Sequence, residues 1–322
     1  MGVTVKKGVE PRSENPERET GVELILTDEL ARADRALSSV PPVLTHMLAS
    51  SGQTLVSDAI VARLRGMLSS MASQLLSARN ETARPLEDSR TVDQLSDRLA
   101  GDNVVLSYCY ALAMEGILTE RLAHRASIDP ILSPLLQELI ASDRPAVAEM
   151  AMNALAAQSR FIQSQRRMEL PLSELPAELL DTVLKRWMKH DKTDPTAAEA
   201  VKRIKASYDE GAGRIGLFAR LVASMKSGVV AALELEHAGL ALFASALSKI
   251  THESRELTVL GCHEQQAARL ALSLRAGGLS PASIERQFML LEPVDRLPSD
   301  IASIDPARAA LVLKQARSKR AF

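Results

Sequence analysis

The chain has 322 residues with 39 basic and 40 acidic side chains, so its net charge is close to zero. This balance argues against non-specific attraction to nucleic acid or to an anionic membrane surface. Hydrophobic residues make up 46% of the chain but aromatic residues only 3%, so the core must be built from aliphatic side chains, most of which favour helices. A chain of this length exceeds the usual size of a single core, and we expect two subdomains.

The cysteine content and the N-terminal sequence indicate a cytoplasmic location. Cys109 and Cys262 both lie within apolar helical patterns, so they give no disulfide framework and suit a reducing compartment. Lys6 and Lys7 are followed by no apolar segment, and a secretory signal is therefore not expected.

The most membrane-like stretch of the chain, residues 228–247, is interrupted by ionisable side chains. Glu234, Glu236 and His237 fall within it. A charged residue at the centre of a membrane-spanning helix costs roughly 2.5–3.5 kcal/mol on insertion scales. We therefore predict no membrane span.

The N-terminal part of the chain predicts a tail followed by two short helices. Residues 1–22 are rich in Lys, Glu, Pro and Ser with few large apolar side chains, so burial cannot offset the entropy of ordering them, and we predict a disordered tail. Thr27 is a suitable N-cap for a short helix. Pro41 and Pro42 predict the end of that helix, and a second short helix is expected to end near Gly52.

Two strongly patterned helices are predicted next. Over residues 54–79 the apolar side chains recur every three or four positions, as they do on one face of an amphipathic helix. Residues 82–91 contain Pro85 and predict a loop. Residues 104–118 are apolar on nearly all sides, which is typical of a central buried helix.

Residues 130–161 predict two amphipathic helices joined by a corner at Asp143, Arg144 and Pro145. Pro145 suits the first turn of the second helix, where a backbone N–H has no helical partner. The apolar stripes of the two helices are aliphatic: Ile131, Leu132, Leu135, Leu136, Leu139 and Ile140 on the first, and Val147, Met150, Ala151, Ala154 and Leu155 on the second. A single hairpin cannot bury both its apolar faces, so we predict stacked helical hairpins, in a HEAT-like array or an irregular α-solenoid or bundle.

A proline-containing joint at residues 168–176 predicts the boundary between two helical subdomains, residues 23–168 and residues 169–322. A second hairpin is expected over residues 179–208, another helix to about residue 225, and a long helix over residues 229–249. Shorter helices are predicted over residues 253–260, 263–274, 281–291 and 307–319. No stretch alternates with a period of two for long enough to be a strand, so the prediction is an all-α protein.

One glycine motif matches a nucleotide-binding pattern. Residues 211–216 spell G-x-G-x-x-G, which lets backbone amides approach a pyrophosphate at a helix N-terminus. The dinucleotide motif requires a buried apolar strand before it, whereas the charged residues 202–210 precede it here. The motif therefore predicts a flexible turn between helices, and no cofactor is expected.

His252 allows two interpretations. It is followed by Glu253, as in the phosphoacceptor sequence of sensor histidine kinases, but no ATP-binding motif accompanies it. Alternatively, Thr251 is the N-cap of a helix that places His252 at its first position and Glu253 beside it, where the helix dipole favours an acidic residue.

His237 and His263 are candidate metal ligands. Glu234 and His237 have the spacing that places a carboxylate and an imidazole on one helical face, but di-iron bundles need a second such pair and two further glutamates. His263 lies beside Cys262 without a recognisable set of ligands. The sequence therefore assigns no catalytic residue and no metal site. The alternative hypothesis is a histidine phosphotransfer or metal-dependent enzyme centred on His237, His252 and His263.

Residues 160–205 carry ten basic and seven acidic side chains. A nucleic-acid groove normally has denser basic residues with aromatic platforms, and here only Trp187 and Tyr208 are nearby, both on apolar stripes. Solvated helix faces account for the small surplus. Nucleic acid is therefore not expected as a partner.

Several helical segments resemble a bacterial family of uncharacterised proteins. Residues 239–247 (GLALFASAL), 255–257 (REL) and 268–280 (ARLALSLRAGGLS) resemble the domain of unknown function numbered twenty-three thirty-six. Residues 171–180 (PLSELPAELL) and the hairpin at Asp143 are similar to it as well, so the resemblance covers most of the chain after the tail. It implies a soluble bacterial protein of helical-repeat architecture, and it implies no activity or catalytic residue.

The predicted architecture favours a protein-binding function. Tandem helical hairpins present extended concave surfaces, and no catalytic set is visible in the sequence. We therefore expect a non-enzymatic scaffold or adaptor that binds a protein partner in the bacterial cytoplasm.

Overall fold

The fold is seen in a computed structural model of the chain. The structure describes residues 16–49, 58–79, 89–190, 195–263, 266–291, 298 and 301–320. Within these residues the regular structure is α-helix and short 3₁₀-helix without any strand, so the all-α prediction is confirmed.

The described α-helices are numbered here in chain order. They are α1 (Pro16–Ala49), α2 (Asp58–Arg79), α3 (Ser89–Ala100), α4 (Asn103–Ala126), α5 (Pro134–Ile140), α6 (Pro145–Arg166), α7 (Ala177–His190), α8 (Pro195–Ser207), α9 (Arg214–Ser224), α10 (Leu235–Thr251), α11 (Arg255–Gly261), α12 (Ala267–Ala276), α13 (Pro281–Leu291) and α14 (Pro306–Arg320). Short 3₁₀-helices occupy Leu172–Glu174, Glu210–Ala212, Lys226–Leu233 and Ile301–Ser303.

Helix α1 differs from the two short helices predicted for this region. It begins at Pro16, inside the segment predicted as a tail, and it continues through Pro41 and Pro42, where the sequence predicts a break. Its buried side chains lie on both sides of the prolines: Val22, Leu26, Leu30, Ala33, Leu44 and Met47. Burial of this apolar face compensates for the backbone hydrogen bonds that the helix loses at the two prolines. Residues 1–15 of the predicted tail, and the predicted end near Gly52, lie outside the described residues.

Helix α4 is the central element of the fold. It packs against α1, α2, α3, α6, α7, α10, α11 and α13. It is buried along most of its length, as predicted from its apolar surface. Its N-cap is Asp102, whose carboxylate accepts from the backbone N–H groups of Val104 and Val105.

Two apolar clusters fill the interior, and each contains residues from both sides of the boundary predicted at residue 168. The first joins the N-terminal half of α1 and helices α5 and α6 to helices α9–α14. The second joins α2, α3 and the first half of α4 to α7 and α8. The predicted subdomains 23–168 and 169–322 therefore do not coincide with the packing, because the apolar faces of α7 and α8 are buried against the N-terminal helices.

Among the architectures left open by the sequence, the packing matches an irregular bundle. Helices far apart in sequence lie in contact, such as α1 with α12 and α14, and α2 with α8. In a solenoid each hairpin contacts mainly its neighbours in sequence. The chain instead wraps its helices around α4.

The first predicted hairpin is confirmed. Helices α5 and α6 pack together, and Pro145 begins α6. The second predicted hairpin corresponds to α7 and α8, and residues 191–194 of its turn lie outside the described residues.

The helix predicted over residues 229–249 is divided into two elements. A 3₁₀-helix ends at Leu233, and α10 begins at Leu235, whose backbone N–H donates to the side chain of Gln287 over 2.9 Å. Gly239 then interrupts α10 with φ 66°. A Cβ atom at Gly239 would lie 3.2 Å from Cβ of Ser133, so glycine permits both the positive φ and the close approach to α5.

We compared the described helices with the length and hydropathy needed to cross a membrane. No single helix in the described ranges is long and apolar enough to cross a membrane. Helix α9 and the 3₁₀-helix after it meet the length and hydropathy criteria only as a pair, and the angle between them is 118°.

The shared cores lead to a prediction for separated halves of the chain. We predict that residues 1–168 and residues 169–322, produced separately, will each lack a cooperative urea-unfolding transition, because each half exposes one side of both apolar clusters. Far-UV circular dichroism against urea measures this, with the full chain as the control. A sharp transition in either half alone would contradict the shared-core description.

Candidate functional site

The three histidines proposed for chemistry have separate surroundings. His237 lies near the start of α10, before the interruption at Gly239, and His252 is the C-cap at the other end of the helix. His263 lies after the end of α11, and its neighbour Glu264 falls outside the described residues. In the part of the chain that the structure describes, no group of three His, Cys, Asp or Glu side chains is arranged to hold a metal.

Glu234 and His237 contact different partners despite their helical spacing. Nε2 of His237 lies 2.9 Å from Oε1 of Glu138 on α5. The carboxylate of Glu234 accepts from the side-chain amide of Gln287 on α13. The pair therefore connects α10 to two neighbouring helices.

The N-cap predicted at Thr251 is wrong. Thr251 is the last residue of α10, and its hydroxyl donates to the carbonyl of Leu247. His252 is the C-cap, with φ 56°. Ser254 is the N-cap of the next helix, and its hydroxyl accepts from the N–H of Leu257 over 3.2 Å. Helix α10 ends at Thr251, two residues beyond its predicted end at residue 249. His252 therefore ends one helix and does not begin the next.

Residues 211–213 of the glycine motif lie in the turn between α8 and α9, as predicted, whereas residues 214–216 form the first turn of α9 itself. A 3₁₀ turn precedes α9, and a Cβ atom at Gly216 would lie only 2.3 Å from the carbonyl oxygen of Glu210. Glycine is needed there because the turn packs directly against the first turn of α9. Arg220 also donates to the carbonyl of Gly211 over 2.8 Å.

Four of the ten basic residues between residues 160 and 205 form ion pairs with nearby carboxylates. The nitrogen–oxygen distances are 3.0 Å or less in the ion pairs Arg167–Glu169, Arg186–Asp102, Lys202–Glu199 and Lys205–Asp181. The charges of these four basic side chains are therefore balanced by neighbouring carboxylates, and the absence of a nucleic-acid partner stays a prediction.

A buried ionic cluster lies at the centre of the bundle. Glu115 on α4 is 2% exposed and accepts hydrogen bonds from two buried arginines. Arg214 of α9 contacts its two carboxylate oxygens at 2.7 and 3.1 Å. Arg255 of α11 contacts them at 2.7 and 2.6 Å. Each arginine binds the carboxylate with two hydrogen bonds, which fixes orientation as well as distance.

Polar and aromatic side chains complete this cluster. Gln158 of α6 accepts from Arg214 over 3.3 Å, and Ser245 of α10 accepts from Nε of Arg255 over 3.2 Å. The guanidinium of Arg214 also lies 3.5 Å from the centre of the Phe161 ring. The cluster therefore connects α4, α6, α9, α10 and α11 at one point.

The protonation of Glu115 follows from these contacts. Burial acts to raise the pKa of Glu115, but the charges of Arg214 and Arg255 and their hydrogen bonds outweigh burial, and they hold its pKa well below the ordinary value. Burial acts to lower the pKa of Arg255, whereas Glu115 raises it above its ordinary value. Glu115 is therefore an ionised carboxylate in the folded protein.

Sequence reasoning did not find this cluster, although one indication was present. Glu115 is a lone carboxylate within a helix predicted to be apolar on nearly all sides. A buried carboxylate requires a partner of opposite charge. The identity of its partners, Arg214 and Arg255, depends on tertiary packing.

A groove of about 760 Å³ opens on the surface beside the cluster. Its walls come from the first turns of α4 and α7 and from one face of α11, with α1 at one edge. The residues that line it are Leu37, Asn103, Val104, Ser107, Tyr108, Pro176, Glu178, Leu179, Thr182, Ser254, Glu256, Leu257 and Leu260. We refer to this feature as the groove.

The α7 wall of the groove is fixed by tyrosines and by an ion pair. The hydroxyl of Tyr108 donates to the carbonyl of Glu174 over 3.1 Å, and that of Tyr208 donates to the carbonyl of Leu175 over 2.6 Å. Arg186 of α7 forms an ion pair with Asp102, the N-cap of α4, at 2.7 Å. Burial raises the pKa of Tyr108, so its hydroxyl stays a donor.

The α11 wall is fixed by the buried cluster. Arg255 is the first residue of α11 and is held by Glu115, while its neighbours Ser254 and Glu256 line the groove. The same carboxylate therefore anchors the central helix and one wall of the groove.

The groove presents aliphatic side chains to solvent. Val104, in the first turn of α4, is 62% exposed, and Leu257 and Leu260 of α11 are half-buried. Such a surface favours an apolar ligand.

No protein-family model, no curated protein and no solved structure matches the chain. The resemblance to the bacterial helical family stays a prediction.

The buried cluster leads to a prediction for stability. We predict that Glu115→Gln will lower the free energy of unfolding by about 3–5 kcal/mol, because two arginines would stay buried without a counter-charge. Urea denaturation at neutral pH measures this.

Glu120→Gln is the matched control on the same helix. The side chain of Glu120 is 58% exposed and its partner Arg63 is 15% exposed, so the loss of Glu120 should lower the free energy of unfolding clearly less than the loss of Glu115, which is buried with both of its arginines. An equal loss of unfolding free energy in Glu115→Gln and Glu120→Gln would contradict this prediction, because the buried cluster would then contribute no more to stability than the partly exposed pair.

Proposed function

We propose that the chain is a non-enzymatic helical adaptor that binds a protein partner in the bacterial cytoplasm, and that the groove is its binding site. The observation that supports this proposal is a surface groove in which the exposed Val104 and the half-buried Leu257 and Leu260 lie on helices that buried contacts hold in place. Concave apolar surfaces of this kind are common sites of protein recognition.

The anchoring of the walls supports a binding role. The α7 wall is held by Tyr108 and by the Arg186–Asp102 pair, and the α11 wall by Arg255 on Glu115. A surface that is already ordered loses less conformational entropy when it binds a partner. The groove is therefore preorganised for association.

The composition of the groove supports a peptide segment as its ligand. Val104, Leu257 and Leu260 offer aliphatic contacts, while Asn103, Thr182 and Ser254 offer hydrogen-bonding groups beside them. Apolar contacts surrounded by polar ones are typical of protein interfaces. A partner would place apolar side chains against the exposed Val104.

A selection experiment tests this proposal. Random peptides displayed on phage are selected for binding to the full chain. We predict that selected peptides will bind Val104→Asp at least about tenfold more weakly, because a charge at the groove opposes apolar contact. Fluorescence anisotropy with the synthetic peptides measures the affinity.

Met152→Asp is the matched control. Met152 is an exposed methionine on α6 that does not line the groove, so its substitution should leave affinity unchanged. Val104 is itself exposed, and circular dichroism will check that Val104→Asp stays folded. If no selected peptide distinguishes Val104→Asp from Met152→Asp, the groove is not the binding site and the proposal fails.

A further inference from the structure

We infer that the segment bound in the groove is an amphipathic helix whose aliphatic stripe is flanked by basic residues. This inference rests on the proposed function and names the chemistry of the partner. It follows from the charge of the groove, from the state of its helix ends and from the shape of its walls.

The charge of the groove is acidic. Among the described residues that line it, Glu178 and Glu256 are the ionisable carboxylates, and none is Lys, Arg or His. Glu178 is exposed on the α7 wall, and Glu256 is half-buried on the α11 wall. Carboxylates on two facing walls favour a partner with positive charge on both sides of its apolar stripe.

Each helix N-terminus at the groove has at least one amide that already donates to a side-chain acceptor of the chain. Asp102 accepts from Val104 and Val105 at the start of α4, and Ser254 accepts from Leu257 in α11. At the start of α7, the N–H of Ala177 donates to Glu210 over 3.2 Å; this carboxylate comes from the turn before α9.

The nearest buried cation is also neutralised. The guanidinium of Arg255 lies under the α11 wall and gives two hydrogen bonds to Glu115. An acidic or phosphorylated partner would therefore meet Glu178 and Glu256, and would find no arginine among the described residues that line this site.

The shape of the walls favours a helix. The α7 wall presents Glu178, Leu179 and Thr182, and the α11 wall presents Glu256, Leu257 and Leu260. Both sets follow the i, i+1, i+4 spacing of one helical face, so the groove runs between two helix surfaces. A third helix packs into such a groove with its own ridge of side chains.

Other peptide conformations fit the site less well. Addition of an extended strand needs an open sheet edge, and the described residues contain no strand. Recognition of a polyproline helix uses a groove lined with aromatic rings, whereas the aromatic residue lining this groove is Tyr108, which is buried and donates to Glu174.

The length of the walls determines how many turns of a bound helix can contact the groove. Residues 254–260 of α11 extend about 9 Å at the rise of an α-helix. This length matches roughly two turns of a bound helix, so aliphatic residues at positions i, i+3, i+4 and i+7 would contact the groove. Basic residues beside this stripe would reach Glu178 and Glu256.

Three synthetic peptides of about 18 residues, long enough to form helix, test the inference. The first carries leucines at i, i+3, i+4 and i+7 with lysines beside the stripe. The second has glutamates in place of the lysines. The third has the composition of the first in an order that destroys the stripe. Fluorescence anisotropy measures each affinity for the full chain.

We predict that the first peptide will bind at least about tenfold more tightly than the other two. Glu178→Lys should weaken the first peptide by about fivefold, the order expected for an exposed charge, and should strengthen the second. Glu178→Gln should weaken the first peptide less than Glu178→Lys does. Glu149→Lys, an exposed substitution on α6 outside the groove, should change neither affinity.

Two results would overturn the inference. One is equal or tighter binding of the second or third peptide, and the other is an equal effect of Glu178→Lys and Glu149→Lys. If none of the three peptides binds while peptides from the displayed library still depend on Val104, the helix inference is wrong and the proposed function stands. If no peptide of either origin depends on Val104, the proposed function itself is wrong.

Discussion

The constraint on which the structure depends is the burial of Glu115 between Arg214 and Arg255. A carboxylate withdrawn from water is stabilised only when opposite charge and hydrogen bonds replace its hydration. The two arginines stand 99 and 140 residues away in sequence, so the ionic contact can form only when α9 and α11 are both seated against α4. Apolar packing supplies most of the driving force for folding, while this contact specifies how these helices are oriented.

The orientation of α11 in turn gives the molecule its principal surface feature. Arg255 begins α11, and the residues on either side of it line the groove. On the opposite wall, Asp102 serves both as N-cap of α4 and as ion-pair partner of Arg186. Each wall is therefore attached to the central helix through a charged contact. The groove combines this anchoring with the exposed apolar surface of Val104, which is a suitable arrangement for binding a partner without rearrangement.

Local periodicity predicted the helices well, because an apolar stripe records which face of a helix is buried. The hairpin of α5 and α6 and the buried helix α4 are examples. The same reasoning was wrong at Pro41 and Pro42, where burial on both sides outweighs local propensity, and at Thr251, where Ser254 is the N-cap. The groove could not be predicted, since its walls come from four helices distant in sequence. The ionic cluster left one indication, a lone glutamate in an apolar helix, but its partners depend on packing.

Native-state hydrogen exchange of α11 tests most directly whether the ionic contact between Arg255 and Glu115 keeps this wall of the groove in place. We predict that the α11 amides exchange about as slowly as those of α4 in the wild-type chain. We also predict that Arg255→Gln accelerates exchange in α11 much more than in α8, which contributes no side chain to the contacts described for the cluster. Unchanged protection of α11 in Arg255→Gln would contradict the account, because the wall would then be held without the ionic contact.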